Sequence, residues 1–465
     1  MALSEYQYTR LKKIITKGKD GQAEHDNITD QMVQDIYIQA ESLTSKYVSK
    51  EESGGVEWGE RFDDILTSRW LGFPIMLLML AGIFWITITG ANYLSAILAD
   101  WLFWVEEQLV SFFTLVNAPA WLNGILVLGV YRTMAWVVSV MLPPMAIFFP
   151  LFTLMEDLGI LPRVAFNLDN YFKRVGAHGK QALTMSMGFG CNAAGVIATR
   201  IIESPREKLI AILTNNFVPC NGRFPTLIIL ASLFMGSVAA GKYSSLVATA
   251  AVVGLILLGI IVTLLVSWLL SRTILKGIPS SFTLELPPYR KPQIGQILIR
   301  SFIDRTLFVL SRAVMVAAPA GAVVWLFANL DINGMSLIGH VAGFLQPVAL
   351  LIGLDGVILL AFFLGLPANE IVLPITIMSY LAAGAMLEPG SSETLRQILV
   401  ENGWTWVTAL ATMLFSLFHF PCATTLLAIK KETQSWKWPF LAAVIPLGIA
   451  IIVNLIVVQG IYLLS

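Results

Sequence analysis

The stretch Met185-Ser186-Met187-Gly188-Phe189-Gly190-Cys191-Asn192 interrupts an apolar segment, residues 181–203, at its centre. Glycine readily leaves the helical conformation, so the chain is expected to unwind around Gly188 and Gly190 and to expose backbone carbonyls beside a thiol and an amide. Irregular backbone at membrane depth is tolerated only where it is buried in protein or lines a cavity. The stretch therefore predicts a re-entrant hairpin and not a straight span.

Three other segments follow the same logic. Gly365-Leu366-Pro367 interrupts residues 357–383, which we interpret as a second re-entrant hairpin. Proline and glycine also open the helix in Asn215–Pro225 and in Phe418–Cys422. These last two segments predict broken spans.

The composition places the chain in a bilayer. Of its 465 residues 56% are hydrophobic and 13% are charged, and the mean hydropathy is +0.74. The net charge of +0 and the lack of a long basic run exclude a nucleic-acid partner, and membrane lipid is the expected surrounding. The three cysteines are odd in number, far apart and in apolar sequence, so we expect free thiols and no disulfide framework.

Hydropathy predicts seven spans, each near or above the ~20 residues that a bilayer requires. They lie at 70–90, 124–155, 209–236, 245–271, 306–328, 404–429 and 439–464. Lysine and arginine fill the loops at 272–305 and 430–437, which should be cytoplasmic, whereas 91–123 and 329–356 lack both and should form outward loops.

After the first span, the elements occur twice in the order span, interfacial helix, hairpin, broken span and span. Each unit crosses three times, so the second copy is inverted relative to the first. The repeats cover about 124–271 and 306–464, and the residues that match between them are Pro144 with Pro319, Asp157 with Asp331, and Asn192 with Asn369. The predicted fold class is an all-α polytopic membrane protein, an inverted-repeat transporter with two re-entrant helical hairpins and broken helices.

Residues 1–69 differ from the transmembrane transport domain at 70–465. They are polar, lack a signal-peptide pattern and contain an amphipathic helical pattern at about 29–49. We expect a cytoplasmic N-terminal arm.

The candidate metal ligands lie in the broken segments. Thiol sulfur combined with amide and carboxylate oxygen suits a late divalent ion such as Fe(II) or Zn(II) better than Mg(II). The candidates are Cys191, Asn192, Cys220, Cys422, Asn369 and Glu370. The alternative, which stays open for any single cysteine, is a small apolar residue that fills the core.

A second group of residues are pathway candidates with equally plain alternatives. They are Met187, Asn221, Glu156, Asp157 and His419. Glu156 and Asp157 also suit a cytoplasmic interface beside Arg163, and His419 also suits a hydrogen-bonded pore wall.

Nucleotide chemistry is not expected. Gly236 to Lys242 resembles a phosphate loop, but Tyr243 stands where the Mg²⁺-binding hydroxyl is required, and no strand precedes it. We therefore expect no hydrolysis of GTP or ATP and no enzymatic activity.

Several ordered motifs resemble the membrane domain of the ferrous iron transport protein B family. They are Leu154-Met-Glu-Asp157, Gly188-Phe-Gly-Cys-Asn192, Phe217-Val-Pro-Cys220, Glu285-Leu-Pro-Pro-Tyr289, Gly365-Leu-Pro-Ala-Asn-Glu370, Pro421-Cys-Ala-Thr-Thr425 and Lys430-Lys-Glu432. The resemblance runs from about residue 29 to the C-terminus. It implies that the paired breaks form a gating region and that Cys191, Asn192, Cys220 and Cys422 belong to the metal pathway.

The chain also departs from the family pattern. Asn192-Ala-Ala replaces Asn-Val-Pro, Pro219-Cys-Asn-Gly-Arg223 replaces Ser-Cys-Gly-Ala-Arg, and Ala368-Asn-Glu370 replaces Ala-Lys-Glu. We expect that the N-terminal GTPase of the family does not precede the connector-like helix at 29–49. The resemblance therefore implies either a separate small GTPase subunit or a standalone carrier driven by the ion gradient or the membrane potential.

The leading hypothesis is transport of a divalent metal, with Fe(II) as the first candidate, across the bacterial cytoplasmic (inner) membrane. No permanently bound cofactor is expected, and a homo-oligomer stays open. The alternatives are a carrier of an organic solute such as a nucleoside and a non-transporting membrane assembly protein.

Overall fold

The fold comes from a computed structural model that describes residues 71–235, 244–277, 301–332, 334–381 and 392–464, together with 65–68 and isolated positions at 35–46 and 293–299. Most of these residues are helical, because a helix satisfies its own backbone hydrogen bonds inside a bilayer. The amphipathic helix predicted at 29–49 lies largely outside the described residues. The same is true of 236–242 and of most of the basic loop at 272–305.

The first helix, α1 (Gly72–Leu115), is much longer than predicted. Its 44 residues give a length of about 66 Å at about 1.5 Å per residue. The predicted span at 70–90 lies in its first half, but the outward loop predicted at 91–123 is wrong because the helix continues to Leu115. That part contains no glycine or proline before Pro119, and its buried Glu106 pairs with Arg132 of the next long helix. An acidic residue therefore marked a helix contact and not a loop.

The first half continues in the predicted order of elements. Its helices are α2 (Ala120–Asn123), α3 (Arg132–Asp157), α4 (Ile160–Arg174), α5 (Gln181–Gly190), α6 (Asn192–Ala198), α7 (Pro205–Thr214), α8 (Phe224–Leu230) and α9 (Ser244–Arg272). Short π or 3-10 segments adjoin them at Gly124–Tyr131, Thr199–Ile201, Asn215–Phe217 and Ala231–Met235. The hairpin consists of α5 and α6, and the broken span consists of α7 and α8.

The second half repeats this order with two additions. After a π segment at Ser301–Leu307 come α10 (Phe308–Asn329), β1 (Asp331–Ile332), β2 (Met335–Ser336), α11 (Leu337–Leu351), α12 (Gly356–Leu364), a 3-10 turn at Asn369–Ile371, α13 (Val372–Tyr380), α14 (Ser392–Glu401), α15 (Trp406–Phe418), α16 (Ala423–Thr433) and α17 (Lys437–Leu464). The additions are the two-residue antiparallel ladder of β1 and β2, and the amphipathic helix α14. Neither addition was predicted.

The lengths of the helices confirm an all-α polytopic membrane protein. The described residues contain five helices that are long and apolar enough to cross a membrane. A sixth is obtained if α11 and α12, which meet at a bend of 108°, count as one broken span. The bend separates the predicted interfacial helix from the first limb of the second hairpin.

Burial distinguishes central from peripheral spans. In the broken span formed by α15 and α16, 78% of the apolar window is buried, compared with 28% in both α9 and α17. Helices α9 and α17 therefore face lipid along much of their surface, while the broken spans and hairpin tips form the centre.

The first spans of the two halves cross at glycines. A Cβ atom added to Gly321 of α10 would overlap the carbonyl oxygen of Gly129 and lie 2.5 Å from the Thr133 hydroxyl. Small residues at such a crossing allow two membrane helices to approach closely. This contact joins the two halves.

Candidate metal pathway

The tip of the first hairpin is a single extended residue between two helices. Cys191 has φ −155° and ψ 125°, between the end of α5 at Gly190 and the start of α6 at Asn192. The thiol is buried, with 7% of the residue exposed. A Cβ atom at Gly190 would overlap the ring of Phe148, so glycine lets α3 pack directly against the tip. The predicted unwinding is therefore confined to Cys191.

The second hairpin reproduces this geometry with a different residue. Ala368 has φ −151° and ψ 120°, which are nearly the angles of Cys191, and Asn369 follows it as Asn192 follows Cys191. The two pairs of positions are related by the same offset, since 368 − 191 and 369 − 192 both equal 177. The second tip thus has an alanine methyl in the position of the first tip's thiol, and Glu370 comes two residues later.

Both broken spans unwind at their Pro-Cys pairs. In the first, residues 218–223 separate the 3-10 turn that ends at Phe217 from α8. In the second, residues 419–422 separate α15 from α16. Cys220 is buried and Cys422 is partly buried.

A backbone hydrogen bond joins each break to the hairpin tip of its own half. The amide of Asn221 donates to the carbonyl of Gly190 at 3.2 Å, and the amide of Ala423 donates to the carbonyl of Leu366 at 2.8 Å. We call these the tip-to-break hydrogen bonds. They bring Cys220 towards Cys191 and Cys422 towards the second tip.

The side chains converge across the two halves as well. The Glu370 carboxylate lies against Gly222 of the first break, where an added Cβ atom would overlap it. Coulombic interactions link Cys191 with both Cys220 and Cys422, and link Glu370 with those same two thiols. The three thiols and one carboxylate, which are widely separated in sequence, are therefore neighbours in the fold.

The asparagines extend this cluster. The side-chain amides of Asn192 and Asn216 are 3.2 Å apart, and the Asn216 amide donates to the carbonyl of His419 at 2.7 Å. The amide oxygen of Asn369 lies 3.3 Å from Nε2 of His419. Amide groups thus connect both tips to the second break.

The side chain of His419 is fixed by hydrogen bonds and by aromatic contacts. Its Nδ1 lies 2.9 Å from the carbonyl of Ser416, and its ring packs between Phe362 and Phe420, with centroids 4.9 and 5.1 Å away. Both ring nitrogens therefore have protein partners in this conformation. Binding a metal through Nε2 would require His419 to separate from Asn369.

The remaining pathway candidates lie outside the cluster or at its edge. Met187 is buried in the hydrophobic core, and Asp157 is exposed at the end of α3. The side chain of Glu156 is outside the described part of the structure. Within the described residues, no group of three or more His, Cys, Asp or Glu side chains has an arrangement that would hold a metal ion. The thiols are close together but do not form a closed coordination site in this conformation.

A small cavity lies beside the first tip. It has about 20 Å³ of space for the centre of a water molecule, enough for at least one water. Its lining includes Thr87 of α1, Phe148 of α3, Gly190 of the tip and Asn221 of the break. Asn221, a predicted pathway residue, thus borders an internal space that α1 helps to close.

Arg223 is central to the site but was not a candidate. It is completely buried and donates to carbonyl groups of both broken spans. An arginine within an apolar span is the signal that could have identified it, because buried charges in membranes are costly and are usually functional.

Two family matches cover most of the membrane region. The family described as "Nucleoside recognition", named Gate, matches residues 138–234 and 310–436. The family described as "Ferrous iron transport protein B C terminus" matches residues 252–304. The first match includes every hairpin and break of the site.

Curated relatives align along most of the chain. A protein of Staphylococcus aureus named "Fe(2+) transporter FeoB" is 30% identical over 457 residues, which are 95% of this chain and 65% of that protein. A protein of the same name from Methanocaldococcus jannaschii is 27% identical over 89% of this chain and 60% of its own length. A "Fe(2+) transport protein A/Fe(2+) transporter FeoB fusion protein" of Porphyromonas gingivalis is 26% identical over 86% of this chain and 51% of its own length.

No solved structure matches the chain. The chain spans less than two thirds of the length of these curated relatives. The ordered motifs at the hairpin tips and breaks agree with both family matches and with the 30% identity over nearly the whole chain. The chain therefore belongs to the ferrous iron transport protein B family.

Proposed function

We propose that this protein carries Fe(II) across the cytoplasmic membrane along a pathway between the first hairpin tip and the two breaks. The observation that carries the proposal is the convergence of all three cysteines of the chain, Cys191, Cys220 and Cys422, at these three unwound points. Relatives named Fe(2+) transporters support iron as the transported ion.

The ligand chemistry agrees with a late divalent ion. Thiolate sulfur favours Fe(II) over Mg(II), while Glu370 and the asparagines of the tips add harder oxygen ligands. Glu370 reaches the first break from the second hairpin, so a bound ion would contact both halves. A mixed set of sulfur and oxygen ligands binds the ion less tightly than an all-thiolate site, so the ion can be released.

Passage of the ion requires movement at the breaks. The described ligands do not form a closed site, and the tip-to-break hydrogen bonds hold the unwound segments together. In inverted-repeat transporters, one unit rocks against the other around a site at the midplane. We propose that such a movement brings the thiols together around the ion and then releases it.

Uptake of Fe(II) into proteoliposomes tests the pathway. We expect the variant with Cys191→Ser, Cys220→Ser and Cys422→Ser together to lose most uptake, because hydroxyl groups bind Fe(II) far more weakly than thiolates. Ser186→Ala is a matched control, since the Ser186 hydroxyl only bonds to the carbonyl of Ala182 within its own helix. Unchanged uptake by the triple variant would overturn this ligand scheme.

A competition assay tests the substrate class. We expect Mn(II) and Zn(II) to compete with Fe(II) to different extents, and nucleosides to have no effect. The Gate match is described as nucleoside recognition, so inhibition of uptake by a nucleoside would instead favour an organic solute.

The partners and surroundings of the transporter are also proposals. We propose a multi-pass protein of the bacterial inner membrane with a cytoplasmic N-terminus, without an enzymatic activity of its own and with a separate small GTPase subunit. The fusion relative supports association with a small protein, because its name joins an Fe(2+) transport protein A to the transporter. Co-purification from detergent extracts, followed by size determination, would reveal a bound GTPase and any homo-oligomer.

A further inference from the structure

The guanidinium group of Arg223 lies between the two breaks. Its two terminal nitrogens donate to the carbonyls of Asn216 at 2.8 Å, Leu417 at 3.0 Å, His419 at 3.1 Å and Phe420 at 3.3 Å. A further bond goes to the amide oxygen of Asn216 at 3.0 Å. The partners belong to the first broken span and to the second, so one side chain bridges the two halves.

These acceptors are the carboxyl ends of broken helices. Asn216 lies in the 3-10 turn that extends α7, and Leu417 lies in the last turn of α15. The last carbonyls of a helix carry about half of a negative elementary charge between them. Two such ends, one from each half, therefore create a region of negative potential around a single point.

No acidic side chain neutralises this cation. Among the described residues, Arg223 forms no ion pair, and its Nε atom is buried without a hydrogen-bond partner. Glu370 lies against the neighbouring Gly222, and the ionisable groups that interact with the guanidinium are the thiols of Cys220 and Cys422. A buried charge without a paired carboxylate is tolerated here because helix carbonyls surround it.

In transporters with broken helices, unwound carbonyls and half-helix carboxyl ends of this kind hold the coupling cation, Na⁺ or H⁺. We infer that the Arg223 guanidinium is a resident cation that permanently occupies this position in place of an exchangeable monovalent ion. Transport by the intact protein is accordingly independent of Na⁺ and K⁺. We call the carbonyls of Asn216, Leu417, His419 and Phe420 around this position the cage. Removal of the Arg223 side chain leaves the cage open to a small monovalent cation, and guanidinium itself fits best.

The contact between Asn216 and Asn192 connects the cage to the first hairpin. Through Asn216 the cation also fixes the start of α6, which follows the thiol of Cys191. Loss of the guanidinium would take its donors away from four carbonyls of two helix ends, of which that of His419 keeps a hydrogen bond from the Asn216 amide, and would leave these carbonyl dipoles repelling one another. Both breaks and the first hairpin tip would lose their relative positions.

Thermal unfolding of the purified full chain in detergent tests the cage without measuring transport. We expect Arg223→Ala to unfold at a lower temperature than the wild type and to regain much of the loss in low-millimolar guanidinium chloride, but not in choline chloride. Arg200→Ala is the control, because Arg200 is 59% exposed in its side chain and pairs with a carboxylate. It should show no guanidinium-dependent recovery, and neither should the wild type.

A second pair of variants covers the case in which Arg223→Ala does not fold. Arg223→Lys keeps the charge with fewer donors, whereas Arg223→Gln keeps donors without the charge. We expect the lysine variant to be clearly the more stable of the two. Equal stability or equal failure to fold, or an Arg223→Ala variant that folds but ignores guanidinium, would overturn the proposal.

A transport assay measures Fe(II) uptake into proteoliposomes with Na⁺, K⁺ or choline as the main cation. Equal uptake by the wild type in all three is expected, and dependence on a Na⁺ gradient would contradict a resident cation. Absence of uptake in every condition would count against the proposed function instead, and leaves the unfolding test of the cage intact.

Discussion

Gly222 has no side chain, and this leaves room for the carboxylate of Glu370. The carboxylate of Glu370 occupies the space that a Cβ atom at Gly222 would need. Because the overlap involves the end of a flexible side chain, the neighbour can move aside without distorting the backbone. The glycine is therefore expected to matter for the position of the carboxylate more than for the stability of the fold.

Gly222→Ala tests this role at the site. We expect Fe(II) uptake to fall several-fold while the free energy of unfolding changes by about 1 kcal/mol or less, at the low end for an added methyl group. Uptake and thermal unfolding would be measured on the same preparation. Gly343→Ala is the control, because nothing lies within 4 Å of a Cβ atom added there. A large loss of stability in Gly222→Ala would show that the backbone and not the carboxylate yields.

The residues of the site were only partly predictable. Glycine and proline in apolar sequence revealed Cys191, Cys220 and Cys422, because a helix must open there. Arg223 is marked in the sequence only as an arginine within an apolar span, because its partners are backbone carbonyls, which leave no pattern of their own. The equivalence of Ala368 with Cys191 is likewise visible only in the dihedral angles.

At the scale of helices, an ion-pair cluster joins the end of α6 to α7 and α16. Arg200, just beyond α6, donates three hydrogen bonds to Glu432 of α16, and Lys208 of α7 lies 3.4 Å from the same carboxylate. The hydrogen bond and then the charge of Glu432 raise the pKa of Arg200 above its ordinary value, because both stabilise the charged guanidinium. The cluster ties the first hairpin to the second broken span.

Glu432→Gln should loosen that contact. Partly exposed ion pairs contribute about 0.5–1 kcal/mol, which corresponds to roughly two- to fivefold in an equilibrium constant. We expect Cys191 to react with a water-soluble maleimide faster by about that factor, as measured by mass spectrometry. High salt should have the same effect on the wild type, because salt screens the pairs. Glu393→Gln, which removes an exposed pair on α14, should leave the rate unchanged.

The crossing of α10 with the first span of the other half gives a second prediction for the helices. Gly321→Ala places a methyl group against the backbone of Gly129, which cannot move as a side chain can. We expect a loss of about 1–3 kcal/mol in stability, typical of overpacking, as measured by chemical unfolding in detergent. Gly448→Ala in α17, where no atom lies within 4 Å of the added Cβ, should have little effect.

The helices themselves are predicted well where the hydropathy agrees with the positions of the glycine and proline residues that end a helix. The spans at 124–155, 245–271, 306–328 and 439–464 match helices α3, α9, α10 and α17 closely. The loop predicted at 91–123 is wrong because the lack of lysine and arginine indicated an outward loop, whereas the helix continues to Leu115 and Glu106 is buried against Arg132. Helix pairing of that kind depends on residues 26 positions apart and cannot be read from local sequence.

For the whole molecule, the two halves meet at the thiols. Cys220 belongs to the first half and Cys422 to the second, and the two thiols lie within electrostatic range of each other. A short bifunctional thiol reagent should therefore join them within one chain and stop Fe(II) uptake, because the breaks can no longer separate. The cross-link would be identified by mass spectrometry after proteolysis. Cys422→Ser should lose this link, and a link that forms only between different chains would contradict the arrangement.

The domain bounds remain predictions, including the repeats at 124–271 and 306–464 and the arm at 1–69. The same order of elements in both halves supports the repeats, and α14 shows that the second half contains an insertion. The inversion of one half relative to the other rests on the count of crossings. Labelling of introduced cysteines from each side of the membrane would measure it directly.

The tip-to-break hydrogen bonds have a consequence for genetics. Their donors and acceptors are main-chain groups of Asn221, Gly190, Ala423 and Leu366, so substitution of these side chains, unless by proline, leaves the bonding groups in place. A library of ordinary point mutants at 221, 366 and 423 would therefore score these contacts as silent, however strongly they resist opening, and a substitution at Gly190 would report the overlap with Phe148 instead. Only removal of the amide itself, by proline at position 221 or 423 or by an ester in the main chain, would reveal their strength. Mutational surveys are therefore least able to detect these main-chain hydrogen bonds, because almost every variant retains them.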